Sequence, residues 1–323
     1  MTIAATNAKS SDVAIDPSRL RELMAKSDGP GLAYLALWLT LLTASGWLVH
    51  ISSGSLWMWP AMFVYGTVMT VPAYALSHEC AHGTFVKTPW LNTLVNWITA
   101  LIYFEEPNHR FVAHMRHHNY TWINGMDAQM PYATPMTFRG WLLEISGLEL
   151  FRYEAKLFAL NALGIHGDEV RRYTPERDLV RLKWGARLCL AIYASLAAVA
   201  SVLGFWPELL AYLIIPRLLG GISMQVFTII QHAEMEEDQH DLRRSTRSFS
   251  TNLIARFLYA EMNNHVEHHL YPKVPFHALP TLRESLAGQL PAPDRGLFRT
   301  NWKVLKAVLA RSFATYAARP KST

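Results

Sequence analysis

The chain has 323 residues, of which 51% are hydrophobic and only 17% are charged, and its net charge is +5 at pH 7. This modest charge argues against nucleic-acid binding, and two cysteines, Cys80 and Cys189, exclude a disulfide framework and a CxxC pair. The composition, with eleven tryptophans, indicates a membrane protein, whereas a mean hydropathy of only +0.08 places much of the chain outside the bilayer.

The first predicted elements are a polar arm and a helical hairpin. Residues 1–29 form the arm, which has no signal-peptide pattern. Residues 31–51 are apolar and uncharged, and they are long enough to cross a hydrocarbon core of ~30 Å. A link of serine and glycine, Ser52–Ser55, leads to a second apolar run at 56–77. We therefore predict two transmembrane helices with almost no outer loop between them.

Three further apolar segments follow. Residues 90–104 are too few to span a bilayer comfortably, which favours an interfacial helix. A long polar stretch comes next, and after it two more spans are predicted at 185–205 and 209–231. Arg217 interrupts the last span, where a charged side chain is costly. It either has a functional role or snorkels or pairs with a neighbour.

The distribution of lysine and arginine predicts the orientation. Both residue types are concentrated in the arm, in residues 105–187 and near the C-terminus, whereas the two outer links, Ser52–Ser55 and Trp206–Glu208, contain neither. By the positive-inside rule, both termini face the cytoplasm. The predicted fold is an all-α integral membrane protein with four transmembrane helices in two hairpins, an interfacial helix and a cytoplasmic helical cap. The predicted membrane domain is 30–290, its cap is 105–184 and 232–290, and a cytoplasmic tail is 291–323.

Eight of the fourteen histidines fall in three short clusters. Two clusters have the spacing i, i+3, i+4 and one has the spacing i, i+4, which places the rings on one face of a helix. The clusters are His78 and His82; His114, His117 and His118; and His265, His268 and His269. Three clusters with helical ligand spacing indicate a polyhistidine metal site.

The number of histidines bears on the kind of metal. Neutral imidazole suits iron, copper, nickel and zinc. A single zinc needs about four ligands, so eight histidines indicate two metal ions. Because no cysteine ligand accompanies them, we favour two irons that activate O₂. A neutral histidine shell leaves the positive charge of the irons uncompensated, which favours a strongly oxidising centre.

The motifs HExxH, HxxHH and NxxHVEHHLYPxVPxHxLPxL resemble those of the membrane fatty-acid desaturase and hydroxylase superfamily. The resemblance covers residues 31–290. It implies that the histidines of the three motifs ligate two irons, and that a further ligand lies at the end of the fourth membrane helix. The implied ligands are His78, His82, His114, His117, His118, His232, His265, His268 and His269.

Some residues depart from the family pattern. Desaturases of the acyl-CoA type carry an asparagine four residues before the ligand at the end of the fourth membrane helix, which is His232 here. This chain has Thr228 at that position, which argues against that subclass. After the second motif, Trp122 and Ala128 break the pattern, whereas Asp127 is kept. The segment QHAEMEEDQHDLRRSTRSFSTN is similar to a bacterial subgroup of hydrocarbon oxygenases of rhizopine-catabolism type. That similarity implies the bacterial inner membrane, and a small-molecule substrate as readily as a fatty acyl chain.

Metal-bound histidines normally donate their second ring N–H to a carboxylate or a carbonyl group. Proximity in the sequence gives several candidate partners, each of which could instead be a solvated polar group. We favour Asp127, Glu261, Glu267 and Asn264, and the other candidates are Glu79, Glu234 and Asp241.

Electrons must come from another protein, because the chain has no cysteine set for an iron–sulfur cluster, no haem-binding domain and no GxGxxG loop. The resemblance implies a ferredoxin, of Rieske type in the bacterial subgroup, or a cytochrome, together with its reductase. The basic segment Arg243–Arg247 predicts either a docking patch for an acidic carrier or a site for lipid head groups.

We predict an O₂-dependent oxidase that abstracts hydrogen from an unactivated C–H bond of a fatty acyl lipid or another small organic molecule. The product is desaturated or hydroxylated, and a small-molecule hydroxylase or oxidative demethylase is the alternative within this class. A rival hypothesis is a membrane-embedded zinc metalloprotease, because His78–His82 fits HExxH with Glu79 as general base. It leaves at least five clustered histidines unexplained. A metal transporter is disfavoured because Arg217, the ionisable residue clearly inside a span, repels cations.

Overall fold

The computed structural model describes residues 13–130 and 134–317. The predictions for residues 1–12 of the arm and 318–323 of the tail lie outside this range. Within it the regular secondary structure is α-helical, apart from a π-helical turn at Leu210–Ile214, a 3₁₀ turn at Phe276–Ala278 and two short parallel strands. The elements are α1 (Pro17–Leu23), α2 (Gly29–Ile51), α3 (Met58–His82), α4 (Pro89–Tyr103), α5 (Pro107–Asn119), α6 (Phe138–Ile145), α7 (Leu148–Leu163), α8 (Asp168–Tyr173), α9 (Glu176–Leu203), α10 (Trp206–Leu209), α11 (Ile215–His232), α12 (Leu242–Ser245), β1 (Phe249–Ser250), α13 (Leu253–Leu258), α14 (His265–Leu270), α15 (Leu279–Ser285), β2 (Asp294–Arg295) and α16 (Leu297–Ala317).

Three helical segments are long and apolar enough to cross a membrane: Gly29–Ile51, Glu176–Leu203 and Trp206–His232. They contain the predicted spans 31–51 and 209–231, and they cover residues 185–203 of the predicted span 185–205. Residues 58–77 of the predicted span 56–77 lie in α3, which has 25 residues but ends in the polar sequence Ser-His-Glu-Cys-Ala-His. The structure therefore confirms the predicted helical fold and shows three helices that are long and apolar enough to span a membrane, and the four-span topology stays a prediction.

Helix α3 lies at the centre of the membrane part and packs against α2, α4 and α11. Its contact with α11 is close because two glycines face each other: a Cβ atom at Gly66 would overlap the carbonyl oxygen of Pro216, and one at Gly220 would overlap that of Gly66. Small residues at such positions allow two helix backbones to approach. This packing brings the C-terminal ends of α3 and α11 together.

Helix α4 has 15 residues, as expected for an element too short to span. It ends at Tyr103, where Arg217 of α11 donates from Nε to the Tyr103 carbonyl oxygen at 2.8 Å. The guanidinium also lies 4.7 Å from the centre of the Tyr103 ring. Because the last carbonyl groups of a helix have no partner within the helix, this contact gives Arg217 a structural role as a cap.

The cap packs on the same ends of the membrane helices. Helix α7 lies against α9, and α5 contacts α3, α8 and α9. The chain after residue 290 packs against the predicted membrane domain. β2 pairs in parallel with β1, and α16 packs against α6 and α11. Val304 and Val308 of α16 are buried in the main core. The domain boundary at 290 stays a prediction.

Candidate metal centre

Four helices contribute histidines to one buried centre. His78 and His82 lie in the last turns of α3, which ends at Gly83 in the left-handed conformation that favours glycine. His232 is the last residue of α11, and the remaining histidines lie on α5 and α14. All nine predicted ligands are at least 92% buried and fall into two groups. The five-histidine group is His78, His82, His114, His118 and His268, and the four-histidine group is His117, His232, His265 and His269.

The ring nitrogens within each group converge. In the five-histidine group, Nε2 of His114 lies 2.8 Å from Nε2 of His82 and 3.1 Å from Nε2 of His118. In the four-histidine group, Nε2 of His265 lies 3.1 Å from Nε2 of both His232 and His269. Imidazole lone pairs at these separations repel one another unless a proton or a cation lies between them.

The two groups are adjacent. The rings of His118 and His269, which belong to different groups, are stacked with their centres 4.3 Å apart and an interplanar angle of 22°. His117 lies on the same helix as His118 but belongs to the four-histidine group. The HxxHH spacing of α5 therefore supplies ligands to both groups, because neighbouring residues project about 100° apart around a helix.

The residues fit two metal ions. Potential ligand atoms within each group lie within 4.8 Å of one another, close to what nitrogen ligands at ~2.0–2.1 Å from one ion require. His78 is 1% exposed, and neither of its ring nitrogens has a hydrogen-bond partner. Burial also lowers the pKa of His114 and His265 well below the usual value for histidine. The neutral form is the one that binds a metal.

Several rings are oriented by a hydrogen bond from Nδ1. His117 Nδ1 donates to Asp127 at 2.8 Å, and the same carboxylate accepts the Trp122 and Gln129 backbone N–H groups. His114 Nδ1 lies 2.9 Å from Oε1 of Gln129. Burial raises the pKa of the Asp127 carboxyl, but His117 and the N–H groups outweigh it, so the pKa is lowered overall. A charged Asp127 is suited to hold His117 with Nε2 directed into the group.

Two further oriented rings belong to the four-histidine group. His232 Nδ1 donates to the Ser245 carbonyl oxygen at 2.9 Å. His269 Nδ1 lies 3.1 Å from Oγ1 of Thr121, whose hydroxyl donates to the His117 carbonyl oxygen. Trp122, one of the departures from the family pattern, stacks on His232 with ring centres 5.0 Å apart.

The other candidate partners have different contacts. Glu261 forms an ion pair with Arg256 at 2.8 Å, and Glu267 accepts from Ser248 and pairs with Arg283. Asn264 donates to the Glu261 carbonyl oxygen, Asp241 pairs with the nearby Arg243, and Glu234 pairs with Arg311 of α16. These contacts build the frame around α14 and the loop before it, which corrects our interpretation of Glu261, Glu267 and Asn264 as partners of the rings.

Glu79, the candidate general base of the protease hypothesis, accepts hydrogen bonds from Thr84 Oγ1 at 2.9 Å and from the Phe276 backbone N–H at 3.2 Å. One carboxylate oxygen therefore joins α3 to the segment after α14. This contact gives Glu79 a structural role.

The basic segment Arg243–Arg247 is neutralised by its neighbours. Arg243 pairs with Asp241 at 2.8 Å, Arg244 pairs with Glu236, and Arg247 pairs with Asp294 at 3.1 Å. Because each guanidinium has a carboxylate partner, the segment has little net positive charge to attract an acidic carrier. We do not assign the docking of an electron donor to it.

A cavity of about 360 Å³ adjoins the centre. Part of its wall is formed by both histidine groups, and the rest comes from α3 to α8, the loop after α5, and α11. Its volume lies near the lower end of the range of ~300–1,000 Å³ typical of small-molecule sites. The histidines that line it are His78, His114, His117, His232 and His265.

Gln129, Thr121 and the Ser245 carbonyl group are partners of the histidines that were not predicted from the sequence. Gln129 and Thr121 follow the second motif closely, so the proximity argument that selected Asp127 could have found them had neutral acceptors been considered. Ser245 is 13 residues from His232 and contacts it through its backbone carbonyl group. Because every residue has such a group, the sequence does not indicate that Ser245 is the partner.

A family model described as fatty acid desaturase matches residues 53–301. The chain is 24% identical to the sn-1 oleoyl-lipid 12-desaturase of Arthrospira platensis over 84% of this chain and 82% of the relative. It is 26% identical to the sphingolipid delta(4)-desaturase/C4-monooxygenase of Homo sapiens, covering 82% and 80%. It is also 23% identical to the sn-1 acyl-lipid omega-3 desaturase (ferredoxin) of Nostoc sp. (strain 36), covering 70% and 67%. The predicted resemblance is thereby confirmed: the chain belongs to the fatty acid desaturase family within the membrane desaturase and hydroxylase superfamily, and it is an oxidoreductase.

Proposed function

We propose that this protein is an O₂-dependent diiron oxidase that acts on an unactivated C–H bond, with the nine clustered histidines as the iron ligands. The observation that carries the proposal is the division of nine buried histidines into two adjacent groups beside a cavity. Two irons bound there would supply the oxidising power to remove hydrogen from the substrate.

The surrounding residues have separate tasks in this proposal. Asp127 holds His117 in the tautomer whose Nε2 can bind a metal, and Gln129 does the same for His114. Burial of the rings keeps bulk water from the centre, which protects a reactive site from side reactions. The adjoining cavity holds the substrate so that one C–H bond faces the two groups.

The Arthrospira relative is named a desaturase and the human relative is named a desaturase and monooxygenase. Both outcomes are therefore open to this chain, on a lipid or on another small organic molecule. We further propose the four-span topology in a bacterial inner membrane, with both termini and the centre in the cytoplasm. The name of the Nostoc relative includes ferredoxin, which supports a ferredoxin and its reductase as the electron source.

The experiment is to co-express the protein with a ferredoxin and its reductase under ¹⁸O₂, and to analyse lipid and polar extracts by mass spectrometry. We expect products that have lost two hydrogen atoms or gained one ¹⁸O atom, and that are missing when the His118→Ala variant is expressed. Identical extracts from both proteins would contradict the proposal. A product without ¹⁸O whose formation requires Glu79 and zinc would instead support the protease hypothesis.

A further inference from the structure

The cavity beside the metal centre is lined by five glutamates, which is unusual for a site that receives a hydrocarbon chain. They are Glu105, Glu144, Glu149, Glu154 and Glu169. Apolar side chains are expected to line the tunnel of an acyl chain, because a buried polar group that loses water without a new partner destabilises the complex.

The positive charges of the cavity wall do not balance these carboxylates. The arginines in the described lining are Arg110 and Arg152, and each has its own partner: Arg110 pairs with Glu105 at 3.0 Å, and Arg152 pairs with Glu149 at 2.6 Å. Glu169 is exposed to solvent. The buried carboxyl groups of the wall that form no ion pair with an arginine of the described lining are therefore Glu144 and Glu154, which are 5% and 4% exposed. Arg217, which is not part of that lining, interacts with the charge of Glu154 without forming an ion pair with it.

Glu154 has no hydrogen bond or ion pair to any residue that the structure describes, and its Oε2 atom is fully buried. A buried carboxyl group in this state is costly unless it is protonated or meets a cation. Burial raises its pKa, and burial also raises the pKa of Glu144 to about 7. Both groups are thus positioned to gain from a positively charged ligand.

Two hydrogen bonds link Glu144 to Thr228 on α11. Gln225 Nε2 donates to Glu144 Oε1 at 3.1 Å, and Thr228 Oγ1 donates to Gln225 Oε1 at 2.7 Å. Thr228 lies one helical turn before His232. Acyl-CoA desaturases carry an asparagine at this position. In this chain Thr228 instead orients Gln225, which holds the Glu144 carboxyl group in the cavity.

We propose that the substrate carries an ammonium group, which Glu144 and Glu154 bind inside the cavity while a neighbouring C–H bond faces the histidines. Three tyrosines, Tyr74, Tyr103 and Tyr153, also line the cavity, and aromatic faces attract organic cations. This assignment rests on the proposed function, and it narrows the substrate from an acyl chain to a small organic cation.

The test measures binding to the iron-loaded protein in phosphatidylglycerol nanodiscs, with probe pairs that differ in charge. Choline is compared with its neutral isostere 3,3-dimethylbutan-1-ol, and cyclohexylammonium is compared with cyclohexanol. We expect the charged member of at least one pair to bind at least about tenfold more tightly. The double change Glu144→Gln and Glu154→Gln should remove this preference while iron content stays unchanged, because both substitutions conserve shape. Glu208→Gln, at an exposed position on α10, is the matched control and should retain the preference.

Equal binding of charged and neutral probes by the wild-type protein, or a preference that survives the double change, would overturn the assignment. Phosphatidylcholine in the nanodiscs distinguishes two sources of the ammonium group: competition with choline identifies a lipid head group, and unchanged choline binding identifies a soluble cation. Iron content separates this inference from the proposed function. A protein with two irons and no preference refutes the cation site alone, whereas a preference in a protein that takes up no iron when iron is supplied refutes the diiron proposal alone.

Discussion

The two histidine groups are built differently. In the four-histidine group, three rings are oriented by hydrogen bonds from Nδ1, to Asp127, to the Ser245 carbonyl group and to Thr121. In the five-histidine group, His114 has such a bond to Gln129, whereas His78 has none. The larger group thus has more ligands but depends more on helix packing for their orientation. The comparison leads us to expect that the four-histidine group would hold a metal with rings fixed by outer hydrogen bonds, and the five-histidine group with rings fixed mainly by helix packing.

The largest expected effect comes from removing a ligand. His118→Ala, in the five-histidine group, and His269→Ala, in the four-histidine group, should each abolish turnover, because a two-metal centre needs both ions. Iron content should fall from about two to about one per chain or below. The measurements are product formation and metal analysis of the purified protein. His50→Ala, at an exposed position on α2, is the control, and full turnover by either ligand variant would contradict the assignment.

A smaller effect is expected from Asp127→Asn, which tests whether outer hydrogen bonds orient the rings of the four-histidine group. Removing the charge weakens the hold on His117, and changes of this kind typically lower metal affinity by about 10–100-fold. The iron lost should be the one bound by the four-histidine group, and Mössbauer spectra of each iron would identify it. Loss of the other iron instead, or equal loss of both, would show that Asp127 does not act through His117.

The smallest effects should come from the neutral partners. Thr121→Val removes the acceptor of His269, and Gln129→Leu removes that of His114, so each deletes one uncharged hydrogen bond in a different group. A neutral hydrogen bond contributes about 0.5–1.5 kcal/mol, so metal affinity should fall by less than about tenfold. We expect Gln129→Leu to have the larger effect, because the five-histidine group has fewer such bonds to share the loss. Competition with a chelator measures both, and the reverse order would contradict the comparison.

Much of the centre could be predicted from the sequence, because helical spacing fixes which residues share a face. The spacing of the three motifs selected eight histidines, and the resemblance added His232. Asp127 was found by proximity, whereas Glu261 was not a partner, because the ion pair with Arg256 depends on how the loop before α14 folds. The π-helical turn at Leu210–Ile214 was not predicted either; it lies just before Pro216, which has no backbone N–H to continue an α-helical bond pattern.

The acidic cavity was missed because residues 105–184 were interpreted as a polar cap. A signal for Glu154 was present: on α7 it lies at positions i−3, i−4 and i−7 from Leu157, Phe158 and Asn161, which form the buried face of that helix. Glu144 had no comparable signal. Its burial depends on the contact of α6 with α11, and no periodic pattern in eight residues of α6 specifies that partner.

The most direct test of the diiron centre is metal analysis of the detergent-purified protein, combined with Mössbauer spectra after expression with iron-57 in excess. We expect about two irons per chain. The Mössbauer spectra should contain two iron signals of similar area, because the five-histidine and four-histidine environments differ. One zinc and no iron would contradict it, and would make the metalloprotease hypothesis the better explanation of the HExxH motif.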